Sequence, residues 1–359
     1  MKHCFILWTR PEIIKLYSCI KFCEENNLDY FLVHTNQHYS PNMDSVFFDE
    51  LKLNWAKYNL WINGWNHGEM TWKMMISIEK ILLDEKPDVV FVQWDTNTVL
   101  AGGLVASKLH IPVAHIEAWL RSYDMKMPEE INRIATDHLS TYLFSPTQKQ
   151  KDILLKENIS EQKIFITWNT IVDAVLRVKN DFQNLSENIL KKYGLEKDNY
   201  ILFTSHRPSN VDNKENLEQI LKWILEVKNI SWKKVLFPIH PRTKNNIEKF
   251  GLTELLSDFE VIEPVWFIEN VFLEDNAYLI ATDSGWIQEE ACILQKKTLI
   301  LRENTERPET LEVGWAVLVW NDFQKIINWF ESLKNKNINW FNPFWDWKSA
   351  EKIFSYISK

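Results

Sequence analysis

The chain has only eight glycines in 359 residues, about 2% where soluble proteins average about 7%. Glycine ordinarily fills left-handed turns, helix ends and points where backbone approaches a ligand, because it has no Cβ. Few residues are therefore available for such positions. Cysteine is also scarce: Cys4, Cys19, Cys23 and Cys292 form no C-x-x-C pair. That argues against a disulfide scaffold or a zinc ribbon and for reduced core thiols. No apolar run approaches the ~20 residues needed to cross a bilayer. The opening M-K-H-C-F-I-L runs straight into a structured pattern and is too short for a secretory leader. A cytoplasmic location and no membrane partner are expected. The formal net charge of −8 offers no basic footprint for nucleic acid.

Tryptophan is in excess. There are eighteen, about 5% of the chain. Glycine and tryptophan together make 8 + 18 = 26 residues, about the 7% share that glycine alone usually takes.

Short apolar runs alternate with amphipathic ones. Candidate strands cover 4–7, 30–35, 88–93, 113–117, 142–146 and 163–167, then 200–206, 234–240, 259–264, 277–283, 298–302 and 316–319. Helical periodicity marks 12–24, 68–85, 129–139, 170–181 and 213–228. Continuous apolar strands between helices predict parallel sheets covered on both faces. The lysine-rich stretch around 178–198 divides them into two sets of six. The expected fold is α/β, with two Rossmann-like, doubly wound domains facing across a cleft. Residues 1–168 plus 346–359 would form the N-terminal domain and 169–345 the C-terminal one. Ligands in such folds sit beyond the carboxyl ends of the strands. Arg10, Asp95 and Glu117 occupy that position in the first half, and His206, His240 and Asp283-Ser284-Gly285 in the second.

The segments T-R-P-E-I-I-K (9–15), D-T-N-T-V-L-A-G (95–102), H-I-E-A (115–118), L-R-S-Y-D (120–124) and M-P-E-E-I-N-R (127–133) form an ordered series. It continues through S-H-R-P-S-N (205–210), H-P-R-T (240–243), D-S-G (283–285), I-Q-E-E-A (287–291), L-R-E-N-T-E-R-P-E (301–309) and N-P-F-W-D-W-K (342–348). In this order and spacing the chain resembles the non-hydrolysing UDP-N-acetylglucosamine 2-epimerases, a two-domain family of the glycosyltransferase-B type. The resemblance implies reversible inversion at C2 of a UDP-sugar by elimination and re-addition of UDP through 2-acetamidoglucal. It implies a UDP-sugar substrate, a homodimer, and neither cofactor nor metal.

By motif position the catalytic carboxylates would be Asp95, Glu117 and Glu129, with His206 at the diphosphate. An N-cap is the alternative for Asp95, helix-dipole placement for Glu129 and a strand-end cap for His206. Arg10 and Lys15 would neutralise phosphate. Ser284, Gly285 and Glu290 match positions for phosphate and ribose, and Arg307 a further substrate arginine. His240 is divided between substrate and turn. Gln37, His38 and Arg207 match part of the pattern for a second, activating UDP-sugar. An epimerase of a related sugar, such as a UDP-diacetamido uronic acid, and a glycosyltransferase of the same fold are the alternatives.

The family pattern has glycine at Trp8, Trp61, Trp65, Trp72, Trp94, Trp119, Trp168, Trp266, Trp286, Trp320, Trp345 and Trp347. Twelve of the eighteen tryptophans thus stand on expected glycines, as they would if UGA codons encode glycine in the source organism. Trp55, Trp223, Trp232, Trp315, Trp329 and Trp340 have no such assignment. A tryptophan-rich sugar-stacking surface is the competing explanation.

Overall fold

The structure is a computed structural model that describes residues 1–35, 48–62, 66–118, 121–305, 307–320, 323–334 and 348–358. It separates into two compact units, Met1–Ala174 with Asp346–Lys359, and Val175–Trp345.

The first unit is built on a seven-stranded sheet of β1 (Lys2–Leu7), β2 (Asp29–His34), β3 (Tyr58–Asn59), β4 (Val89–Gln93), β5 (Val113–Ile116), β6 (Tyr142–Ser145) and β7 (Ile164–Ile166). Their order is β3-β2-β1-β4-β5-β6-β7, and every pairing is parallel. The second unit carries β8 (Tyr200–Thr204), β9 (Lys234–Pro238), β10 (Glu260–Ile262), β11 (Leu279–Thr282), β12 (Thr298–Ile300) and β13 (Ala316–Leu318). Their order is β10-β9-β8-β11-β12-β13, again parallel throughout. Each sheet therefore reverses direction beside its first strand, and the doubly wound class is the observed one. All twelve apolar runs form strands. β3 has two residues and offers no run long enough to read from sequence.

The strands hold because both faces are covered. β4, V-V-F-V-Q, is buried throughout, as a central parallel strand requires. Cys4, Ile6, Val33, Val90 and Val92 pack with Met74, Ile78 and Leu82 of the helix His67–Glu85 on one side. The C-terminal helix Ser349–Ile357 belongs to this same unit. Phe354 stacks on Phe22 at 4.6 Å, and the Asp173 carboxylate accepts from Ser349 N and Ala350 N at its first turn. In the second unit Ile201, Phe203, Val235, Phe237 and Leu279 form the core with Leu217, Ile220, Trp223 and Ile224 of the helix Lys214–Ser231. All four cysteines are buried thiols.

Local sequence sets the helix starts next to the strand ends. Thr9 caps Arg10–Glu25 in a capping box completed by Glu12. Thr96 caps Asn97–Lys108 and Ser284 caps Gly285–Ile293 through their side-chain oxygens. Beyond each first strand and each fourth, backbone N–H groups and polar side chains thus collect at the switch point of the sheet.

Candidate active site

In the first unit the turn after β4 carries Asp95. Its side chain is 3% exposed, and the N-cap of the following helix is Thr96, not Asp95. Burial pushes the Asp95 carboxyl up to about 7; Arg133 opposes the rise, and Glu12, Glu129 and Glu117 add to it. Arg133 Nη1 lies 3.4 Å from Asp95 Oδ2, and its Nη2 lies 2.9 Å from Glu130 Oε2. Asn132 Nδ2 donates to the Asp95 carbonyl at 2.9 Å. His115 joins the turn to the helix Pro128–Leu139, its Nε2 2.9 Å from the Trp94 carbonyl oxygen and its Nδ1 2.8 Å from Asp137 Oδ1.

Glu117 follows β5 with φ at +61°, a left-handed backbone that costs an ordinary residue about 1–2 kcal/mol. Strain of this kind at a buried carboxylate points to function rather than packing. Glu117 is 5% exposed and Lys15 is 1% exposed. The Lys15 ammonium meets both Glu117 oxygens, and Gln93 Nε2 donates to Glu117 Oε2 at 2.7 Å. Lys15, expected at phosphate, thus stands in a buried ion pair with Glu117. The spacing of T-R-P-E-I-I-K puts Lys15 on the buried face of its helix, 102 positions before its partner, so no local pattern announces the pairing.

Glu129 is exposed in the first turn of the helix Pro128–Leu139. It lies close enough to Asp95 to raise that carboxyl, as Glu117 does. The three expected carboxylates therefore share one electrostatic environment. Glu12 is fully buried there as well, accepting from Trp8 N and Thr9 N at 2.7 Å and from Thr96 Oγ1 at 2.6 Å. Arg10 opens the first helix of this unit. Gln37 and His38 lie outside the described residues.

In the second unit Asp283, after β11, organises the turn after β8. It is fully buried and accepts from Ser205 Oγ at 2.8 Å, His206 N at 3.0 Å, Arg207 N at 2.9 Å and Asn210 Nδ2 at 3.0 Å. His206 Nδ1 stands 3.2 Å from Asp283 Oδ1. Burial raises the Asp283 carboxyl, but the His206 contacts and these N–H and O–H donors outweigh it and leave it below its ordinary value. The charged aspartate holds His206 and Arg207 at the mouth of the turn. His240 is 5.6 Å from His206 between ring centroids. Its Nδ1 accepts from Arg242 N at 3.1 Å, which caps the helix Pro241–Phe250. Burial, His206 and Arg242 all lower its affinity for a proton. His240 therefore caps its own helix beside His206.

Ser284 and Gly285 open the helix Gly285–Ile293. Arg207 Nη2 and Arg302 Nη1 come within 3.8 and 3.9 Å of the point a Cβ on Gly285 would occupy. Two guanidinium groups at a helix N-terminus make an anion site by geometry and charge. Arg302 was not among the expected residues, although it stands in the quoted L-R-E-N. Its signal was its place just after β12. Arg207, expected at an activator site, lies here at the start of the Gly285–Ile293 helix. Arg307 pairs with the buried Glu289, and Glu290 lies buried one residue further along the same helix.

Among the described residues no group of three or more His, Cys, Asp or Glu side chains could hold a metal ion, and no helix is long and apolar enough to cross a membrane.

The UDP-N-acetylglucosamine 2-epimerase family profile matches residues 21–358. A UDP-N-acetylglucosamine 2-epimerase of Methanocaldococcus jannaschii is 54% identical, over 100% of this chain and 99% of that protein. The UDP-2,3-diacetamido-2,3-dideoxy-D-glucuronate 2-epimerase of Pseudomonas aeruginosa is 40% identical over 89% of this chain and 88% of that one. The crystal structure of the Methanocaldococcus jannaschii enzyme in complex with UDP-GlcNAc and UDP superposes with a TM-score of 0.84, at 53% identity, covering 100% and 99% of the two chains. With this likeness running over the whole chain, the chain belongs to the UDP-N-acetylglucosamine 2-epimerase family.

Proposed function

We propose that the protein interconverts UDP-N-acetylglucosamine and UDP-N-acetylmannosamine. A carboxylate removes the C2 proton as the C1–O bond breaks, UDP leaves, and 2-acetamidoglucal stays bound. Reprotonation of C2 on the other face and return of UDP to C1 complete the inversion. The observation that carries this reading is Asp95: a buried carboxyl raised to about 7 beside Glu117 and Glu129 can accept and return a proton near neutral pH. Glu117, in contact with Lys15 and Gln93, and Glu129 serve as its partners. Arg10, His206, Arg207, Arg302 and the Ser284-Gly285 helix start carry the charge of the departing diphosphate. Glu290 meets the ribose, and Arg307 reaches the substrate after its exchange with Glu289. A homodimer in the cytoplasm is the working form.

The relative named for UDP-N-acetylglucosamine is 54% identical and the diacetamido-uronate relative 40%, which favours the simpler sugar. Incubation with UDP-N-acetylglucosamine in heavy water tests the reaction. The expected product is UDP-N-acetylmannosamine with deuterium at C2, formed without an acceptor. Product without C2 deuterium, or turnover only when an acceptor is supplied, would overturn it. Conversion of the diacetamido-uronate sugar alone would shift the reading to that substrate.

We also propose that the native protein carries glycine where the family pattern has it, through UGA codons read as glycine. Trp61, Trp94 and Trp168 have φ of +51°, +76° and +68°, a region where a bulky side chain is an outlier. Trp232 joins them at +57°. It ends a helix in the left-handed conformation that glycine usually supplies and is 90% exposed. Trp223, 7% exposed in the second core and inside a helix, carries no such backbone signal. Intact-peptide mass spectrometry of the native protein decides it, and tryptophan found at position 94 or 286 would end the proposal.

A further inference from the structure

The helices Phe267–Asn276 and Gly285–Ile293 lie against each other in the second unit, and two carboxyl groups meet in their interface. Glu274 is completely buried and Glu290 is 4% exposed. The Asn270 side-chain amide donates to both, at 2.5 Å to Glu274 Oε1 and 3.3 Å to Glu290 Oε2. The two carboxyl groups also lie within hydrogen-bonding reach of each other, where two bare anions would repel. A hydrogen bond between carboxyl groups needs a proton on one of them. Glu274 Oε2 is buried and meets no donor, as suits an oxygen that bears that proton. The next residue, Asp275, is matched by Lys179 at 2.8 Å and adds negative charge rather than relieving it. Burial first, and the Glu290 charge second, push the Glu274 carboxyl far above its ordinary range.

We propose that Glu274 is a positioning residue: as a neutral acid it donates a hydrogen bond to Glu290 and fixes that carboxylate in the orientation that accepts the two hydroxyls of a nucleotide ribose. This rests on the assignment of Glu290 to the ribose made above. A vicinal diol offers two donors, and an anionic carboxylate held at a fixed angle can take both. Were Glu274 ionised, the two anions would repel and Glu290 would lose that angle. The neutral acid gives the ribose contact its geometry without itself touching substrate.

Calorimetric titration with UDP and steady-state kinetics on three variants test this. Glu290→Ala should weaken UDP binding by tenfold or more, the scale of a lost hydrogen bond to a charged group. Glu274→Leu should weaken UDP binding and raise KM by roughly tenfold while kcat at saturation changes little. Glu274→Gln, whose amide still donates, should restore binding to near the wild-type level. Unchanged UDP affinity in Glu290→Ala would sink the ribose assignment itself. Loss in Glu290→Ala with none in Glu274→Leu would sink only the positioning role, as would a Glu274→Gln variant as weak as Glu274→Leu. Should Glu274→Leu fail to fold, infrared spectroscopy decides instead. At mildly alkaline pH, where Asp95 has ionised, the wild type should keep a protonated-carboxyl band that is missing from Glu274→Gln, and its absence from the wild type there would refute the proposal.

Discussion

Asp95→Asn should abolish turnover and at the same time make the protein more stable above neutral pH. The reasoning begins with the proton. Asp95 ordinarily titrates at 3.8 and is pushed up to about 7 here, chiefly by burial. Three units correspond to about 4 kcal/mol at 1.36 kcal/mol each, the cost of keeping the carboxylate ionised in the fold. Between about pH 4 and pH 7 the folded form holds this proton more firmly than the unfolded chain does. Stability therefore falls as pH rises through that window and levels off above it. Asparagine keeps the shape and never ionises, so the variant escapes the decline.

Part of the gain is lost again, because Arg133 gives up its 3.4 Å contact with Asp95 and keeps Glu130. A net gain of about 2 kcal/mol is expected above pH 7, or about 4–8 °C in Tm for a unit of this size. Thermal melts of both proteins from acid to mildly alkaline pH measure the difference directly. It should be absent or reversed below about pH 4, grow through the window and then plateau. A difference that does not vary with pH, or a variant less stable than wild type above neutrality, would refute the account of Asp95. UDP binding should survive, since the anion site lies on Arg207, Arg302 and the Ser284-Gly285 turn.

Lys15→Met distinguishes the buried pair from the phosphate role first expected of Lys15. It should lower kcat by well over tenfold and cost stability on the order of 3 kcal/mol, since it leaves the Glu117 charge unmatched, while UDP affinity holds; a large loss of UDP affinity at unchanged kcat would restore the phosphate role. Replacing Trp94, Trp168 and Trp232 by glycine should raise stability by about 0.5–1 kcal/mol at each site, as relief of left-handed strain exceeds the added entropy of the unfolded chain. Three destabilising results in urea melts would count against glycine as the native residue there.

What was legible in the sequence followed periodicity and local chemistry. Strands buried on both faces, such as V-V-F-V-Q, are written as unbroken apolar runs, and their ends mark where polar residues must gather. Asp95, Glu117, His206 and Ser284 could be found in that way, each standing at the close of a strand. The roles assigned to individual side chains depended on something else, namely partners far away in the chain. Lys15 looks like an anion ligand until Glu117 meets it across 102 residues. His240 looks like a companion to His206 until its Nδ1 turns to Arg242 N. Asp283 was visible in D-S-G, but its work of holding Ser205, His206, Arg207 and Asn210 arises only when β8 and β11 pair. The same distinction explains the tryptophans. A composition short of glycine raises the question, and the backbone angles bear on it only at positions where φ is positive. Trp286 lies within a helix and Trp266 has an extended backbone, so there the case for glycine rests on the approach of a ligand, and substrate binding by the glycine form supplies the test.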